Sequence, residues 1–252
     1  MNNLSKKNKI SSLFFIIGIL LIIFIWIISS NYFNNELVIP SFKQTINRMF
    51  EMITSKTLLL ILKTLLKLVL IIVISSVVCF IFAVISYKYK WFNNLIMPFM
   101  TVIRTAPIIS LIIIMLLTVG LKQTPIYICA FVVVPVIYEQ LLNSFNSIDK
   151  DIIEETKMIS NIDFKIFWYV LLPITFKFYI TSLVTVLGLG FKVLVMAEVF
   201  GSTTNTLGGL LQTYRSVSDI ESIFALTLIL IIIVLLFELA IKALSNNKKI
   251  AS

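Results

Sequence analysis

Six long apolar stretches separated by short polar ones set the pattern of this chain: Leu13 to Ile28, Leu58 to Ile85, Ile96 to Val119, Ile126 to Leu142, Ile174 to Phe200 and Ile223 to Leu244. A helix crossing the hydrocarbon core needs about 20 mostly apolar residues. The pattern therefore predicts an all-α membrane protein with six transmembrane helices. Pro107 interrupts the third stretch and Pro135 the fourth, as membrane helices tolerate where neighbours re-satisfy the freed carbonyls. Pro173 stands just before the fifth, a place suited to a first helical turn. Lys63 and Lys67, in the first turns of the second stretch, predict a tilted helix whose lysines snorkel to the headgroups. Lys6, Lys7 and Lys9 precede the first stretch, as in a secretory signal peptide, but Trp26 to Ser30 match a cleavage site poorly, so an uncleaved anchor is expected.

Asp149 to Asp163 breaks the pattern and holds the densest charge in the chain. Ile148, Ile152, Ile159, Ile162 and Ile166 recur at helical spacing on one face, with Lys150, Glu154 and Lys157 on another. This predicts an amphipathic helix outside the bilayer, capped by Asp149 and ended near Ser160-Asn161. Periodicity alone allows either a helix resting at the interface or a docking helix for a soluble partner.

Composition narrows the function. The chain has 252 residues, 59% hydrophobic and 13% charged, with no His and two Cys. An imidazole-based active site is impossible, and the separate Cys79 and Cys129 read as small core or lipid-facing residues with no metal-ligand company. No phosphate-binding glycine motif is present, so no cofactor is expected on this chain. Thirteen of the 21 Lys and Arg fall in segments on the N-terminal side of the membrane and seven on the other, with Lys192 inside a span; both termini are expected in the cytoplasm. The net charge of +9 then reflects this asymmetry and attraction to anionic lipid, and no nucleic-acid role is expected.

Candidate pathway residues cluster in the fifth stretch. Lys192 and Glu198 are charges costly in a bilayer unless they face a cavity or a partner. Six positions apart, they are about 240° out of phase, so each needs its own partner. Lys192 suits either an anionic solute or a pair with a second subunit; Glu198 suits a structural or docking role near the outer end. Gly188 and Gly190 allow close helix packing. Glu139 and Glu238 are expected to be solvated near the inner ends. An ion-coupled secondary transporter or channel is the alternative reading, disfavoured by the scarcity of deep charges and internal repeats; a membrane enzyme lacks a catalytic cluster.

From Glu154 to Pro173 the chain reads Glu-Glu-Thr-x-x-x-Ser, then Phe-x-x-Val-Leu-Leu-Pro, which resembles the EAA loop of bacterial ABC-importer permeases. Glu154 takes the glutamate place, and Phe167, Val170, Leu172 and Pro173 match. Glu155 and Thr156 replace alanines and Ser160 replaces a glycine. Pro107 to Gly120, then Pro135 and Asn143, and Phe191-Lys192-Val193-Leu194-Val195-Met196-Ala197-Glu198, are similar to the nitrate/sulfonate/taurine (NitT/TauT) branch, as are Leu207-Gly208 and Phe224-Ala225.

The resemblance implies a type I, MetI-like permease with a cytoplasmic coupling helix, working as a homodimer with two copies of an ATPase inside and a substrate-binding protein outside. ATP would be used by the partner subunit. In that arrangement residues 1–57 form a tail, first span and external loop, 58–244 the transport domain with its coupling loop at 143–173, and 245–252 a cytoplasmic tail. The location implied is the bacterial cell membrane, and the cargo a small solute such as nitrate, a sulfonate, taurine or a vitamin precursor. Pro107, Gly188, Gly190, Lys192 and Glu198 would lie along the pathway.

Overall fold

The computed structural model describes residues 2–33, 35–148 and 172–250. Among these residues the secondary structure is helical: α1 (Asn2–Phe33), α2 (Phe42–Met52), α3 (Ser55–Lys88), α4 (Lys90–Thr105), α5 (Ile108–Val119), α6 (Thr124–Asn146), α7 (Leu172–Phe200), α8 (Leu207–Ser216) and α9 (Ile220–Ile250). Among the described residues five helices are long and apolar enough to cross a membrane, and α4 with α5 makes a sixth span if the pair is counted as one. The stretch expected as one interrupted span is in fact bent by 98° between α4 and α5. Pro107 causes this: it disfavours a helical Ala106, which sits extended at φ −66°, ψ 138°, and it has no N–H to continue the α4 ladder.

The chain divides into two compact units, Leu59–Leu210 with Ile232–Ser252, and Met1–Leu58 with Leu211–Ile231. In the larger unit α6 and α7 are the central helices. Ile112 of α5, Ile128 of α6 and Val193 and Ala197 of α7 form a fully enclosed apolar cluster, with Leu111, Met115 and Val132 packed around it. Both cysteines are buried between helices: Cys79 donates to Val134 O at 3.4 Å and Cys129 to Gly190 O at 3.5 Å. A Cβ at Gly190 would stand 2.9 Å from Leu68 Cδ1 and 3.2 Å from Val133 Cγ1, so this glycine is what lets α3 and α6 close on α7.

In the smaller unit the spanning part of α1, Leu13–Phe33, is mostly apolar and its spanning window buries no side chain, as befits a helix facing lipid. Trp26 ties it down by donating to Pro40 O at 3.1 Å and packing on Phe42 and Phe224. Helix α2 starts at a capping box: Ser41 Oγ accepts from Gln44 N at 3.3 Å, while Gln44 Oε1 accepts from Ser41 N at 3.1 Å. Asp219 caps α9 by accepting from Ser222 N at 3.0 Å and Ser222 Oγ at 2.6 Å. Arg48 of α2 joins the cap, donating to Ser222 Oγ at 2.9 Å, with Asp219 at 3.5 Å and Glu51 at 3.0 Å. Burial pushes the Asp219 carboxyl up, but the Ser222 bonds and the Arg48 charge outweigh it and hold the pKa below the usual carboxylate value.

Candidate functional site in the spanning helices

Charge inside an apolar helix needs an explanation, and among the described residues the larger unit contains two interhelical ion pairs. In the first, Lys67 Nζ of α3 donates to Glu198 Oε1 of α7 at 2.9 Å. Lys67, expected to snorkel, is paired instead with a carboxylate on the neighbouring helix. Glu198 is fully buried. Its other oxygen, Oε2, accepts from Gly208 N at 3.2 Å, and Gly208 belongs to the first turn of α8.

The local chain explains why that amide is available. Thr206 caps α8, its Oγ1 accepting from Gly209 N at 3.0 Å, which leaves the Gly208 N–H one of the unpaired donors of the first turn. Glu198 supplies the acceptor, and the helix dipole favours an anion there. The approach demands glycine: a Cβ at Gly208 would lie 2.3 Å from Glu198 Cβ, 2.5 Å from Val199 N and 2.6 Å from Val195 O. Thr203 Oγ1 closes the turn on Glu198 O at 3.2 Å. Glu198 is therefore a buried hub joining α3, α7 and α8.

The second pair joins Arg104, in the last turn of α4, to Glu139 of α6. Glu139, expected to be solvated, is 42% exposed and has Arg104 against it. Next to it, the Tyr138 hydroxyl bonds Ser86 Oγ at 2.7 Å and Asn93 Oδ1 at 3.0 Å, so α3, α4 and α6 meet through one phenol.

Residues 75–249 match the family described as binding-protein-dependent transport system inner membrane component. The chain belongs to that family. It is the permease of an ABC transporter, a multi-pass membrane subunit of the kind that works with an ATPase and a binding protein, and its all-helical build with up to six spans is that of a MetI-like type I permease. No curated protein matches the sequence.

Within the permease, the residues expected along the pathway are distributed over different environments. Pro107 sits at the bend before α5 and is exposed. Gly188 and Gly190 are buried in α7, and Gly188 faces Glu238 of α9, whose Oε1 would be 3.4 Å from a Cβ there. Glu238, expected to be solvated, is half-buried against that bare backbone. Lys192 is exposed on α7, and among the described residues it has no ion-pair partner. Pro173 lies in the first turn of α7, exposed. Glu154, Glu155, Thr156, Ser160, Phe167 and Val170 lie outside the described residues. The sequence reading missed Lys67 as the partner of Glu198, since 131 residues separate them and no periodicity connects them. It also missed the α8 amide, although Thr206-Leu207-Gly208 carries a capping residue followed by a side-chain-free approach.

Proposed function

We propose that this permease serves an importer of the nitrate/sulfonate/taurine branch, moving a small anion, a taurine-like solute or a vitamin precursor delivered by an external binding protein. The subunit acts as a homodimer in the bacterial cell membrane, both termini in the cytoplasm, bound to two copies of the ATPase. Residues 58–244 form its transport domain. Segment 143–173 couples it to the ATPase through Glu154, Glu155, Thr156 and Ser160, with Phe167, Val170 and Pro173 transmitting the motion to α7. Such coupling has a simple physical form: apolar anchors on a short helix seat in a groove of the soluble partner, rim charges set register, and closure of the ATPases rocks the attached spans.

The observation that supports the anion reading is the contrast between two lysines. Lys67 is occupied by Glu198, whereas Lys192 presents its ammonium on the exposed face of α7 with no described counter-charge. A cation in a span is retained where it meets a partner or a cavity, and an anionic solute passing between two copies of α7 satisfies it. Gly188 lies one turn before it on α7, Gly190 lets α3 and α6 close on the other side of the helix, Pro107 ends the path, and Glu198 holds α7 in place.

Purification of the chain with its ATPase tests the reading. The expected result is that the chain stimulates hydrolysis, that proteoliposomes take up a sulfonate or nitrate, and that Glu154→Arg keeps assembly in the membrane but loses uptake. Uptake unchanged in Glu154→Arg sinks the coupling role, and labelling of Lys157 only from outside sinks the topology.

A further inference from the structure

No residue of α4 is buried, and its exposed residues divide by chemistry. Trp91, Leu95, Phe99 and Val102 recur at spacings of four, four and three, which puts them on one flank of the helix. They are 65%, 54%, 65% and 67% exposed. Lys90, Asn94, Thr101 and Thr105, at spacings of four, seven and four, form an exposed polar flank beside it. The remaining side meets the protein. There Phe92 packs edge-on against Phe82 of α3, Asn93 Oδ1 accepts from the Tyr138 hydroxyl at 3.0 Å, and Arg104 pairs with Glu139.

The course of the helix agrees with this division. Helix α5 enters the enclosed apolar cluster with α6 and α7, and α4 leaves it at 98°. Helix α4 also lies across α6 and not along it: Asn93 and Arg104 are separated by about 16 Å of helix, yet they reach the neighbouring residues Tyr138 and Glu139. A helix that turns across the spans, with exposed apolar and exposed polar flanks side by side, is satisfied where hydrocarbon meets water. Deep in hydrocarbon the polar flank would be stranded, and in water the apolar one.

The start of α4 supplies headgroup chemistry. Lys88 ends α3, Tyr89 is extended at φ −121°, ψ 104°, and Lys90 opens α4, so two ammonium groups bracket one residue. Lys88 Nζ stands 5.6 Å from the centroid of the Tyr89 ring, which is 6.5 Å from that of Trp91. Both rings and both lysines are exposed, and among the described residues neither lysine pairs with a carboxylate. Exposed Tyr and Trp beside lysine suit the headgroup layer, and cations in that layer favour anionic lipid. We propose that α4 lies along the membrane surface with Trp91, Leu95, Phe99 and Val102 in the leaflet, and that Lys88 and Lys90 hold the headgroup of an anionic phospholipid. The occupant is a lipid and not a free anion because the lysines adjoin the apolar stripe: a headgroup held there sets its acyl chains against Leu95 and Phe99. With Arg104 fixed on α6 at the other end, such a lipid braces the bend at Pro107 from α4.

Bimane fluorescence of the full-length permease in phosphatidylcholine nanodiscs tests this, because both native cysteines are buried and leave exposed positions to be labelled selectively. Bimane at Leu95→Cys or Val102→Cys should be quenched by a nitroxide on a lipid acyl chain and spared by aqueous iodide. At Asn94→Cys or Thr105→Cys the order should reverse. A lysine near an anionic surface favours it by about fivefold, so at Leu95→Cys nitroxide-bearing phosphatidylglycerol should outcompete nitroxide-bearing phosphatidylcholine by roughly fivefold or more. That preference should be lost in Lys88→Gln/Lys90→Gln, kept in Lys88→Arg/Lys90→Arg, unmoved by excess inorganic phosphate, and absent at Leu117→Cys on α5, an apolar position 84% exposed. Equal lipid quenching at Asn94→Cys and Leu95→Cys overturns the surface position. So does shielding of Leu95→Cys from both quenchers, the result expected if a second copy or a partner protein covers the stripe. A preference that is as strong at Leu117→Cys, that survives Lys88→Gln/Lys90→Gln, or that inorganic phosphate abolishes overturns the lipid site.

Discussion

Lys67–Glu198 and Arg104–Glu139 are both cation–carboxylate pairs between spanning helices, and they have opposite surroundings. At Glu198 both oxygens are occupied, one by Lys67 and one by the Gly208 amide, and the side chain is fully buried. At Arg104 and Glu139 a single contact joins two half-exposed side chains beside an open cavity. Ion pairing by itself therefore does not assign a role in this protein. Saturation of the hydrogen-bonding capacity marks a fastening, and residual capacity facing a space marks a place where something can be exchanged.

The comparison breaks most sharply at the buried pair. Lys67→Met leaves the Glu198 carboxylate enclosed without its cation, and losing one partner of a buried pair costs about 3–5 kcal/mol. Thermal unfolding of the protein in detergent should show a large fall for Lys67→Met, with much of it recovered in Lys67→Met/Glu198→Met; an unchanged midpoint in the single variant contradicts the fastening. Gly208→Ala comes next. Its methyl would meet a Cβ and two backbone atoms at 2.3–2.6 Å, none of which can swing aside, so a loss of roughly 1–3 kcal/mol or more is expected from overpacking. Gly190→Ala, facing the mobile end of Leu68 first, should lose less, and the reverse order would argue against the tight turn.

At the exposed pair the expected stability change is smaller. Arg104→Gln or Glu139→Gln should alter unfolding by about 1 kcal/mol or less, as partly exposed pairs do, while changing uptake by the reconstituted complex. A stability loss equal to that of Lys67→Met would erase the distinction between the two pairs. The smallest effect belongs to the α9 cap in the other unit. Asp219→Ala should cost about 1 kcal/mol. Because the folded Asp219 pKa lies below its ordinary value, the cap's contribution is complete above about pH 4 and is lost as the pH falls through the depressed value. An acid titration of the wild type against Asp219→Asn reads this directly, and identical acid midpoints would contradict it.

The spans were legible because each is a long apolar run, and length and hydropathy suffice to recognise such a run. The capping box at Ser41 and Gln44 was equally open to reading from its spacing, although α2 itself, only 11 residues long, lay below the scale of the apolar pattern. Pro107 announced an interruption but not its angle, since a proline kink is set by what the flanking helices pack against. Illegible altogether were the counter-charges. Lys67 seen alone suggested the headgroups, and only the approach of α3 to α7, permitted by Gly190, shows that it pairs with Glu198. Lys192 and Glu198 share a helix and a charge-bearing motif, yet one is exposed and the other enclosed, a difference that six residues of helical phase produce and that no motif states.

The bend at Pro107 has a consequence for the lipid. Helix α5 has 12 residues, about 18 Å of rise, so beside it the insulating layer is thinner than a relaxed bilayer unless α4 makes up the difference by its slant. Any hydrophobic mismatch in this permease then falls on the α4–α5 pair, bent by 98°. Its transport rate should respond to acyl-chain length, fastest in thin bilayers whose hydrocarbon matches the short segment and slower as longer tails force α4 upright.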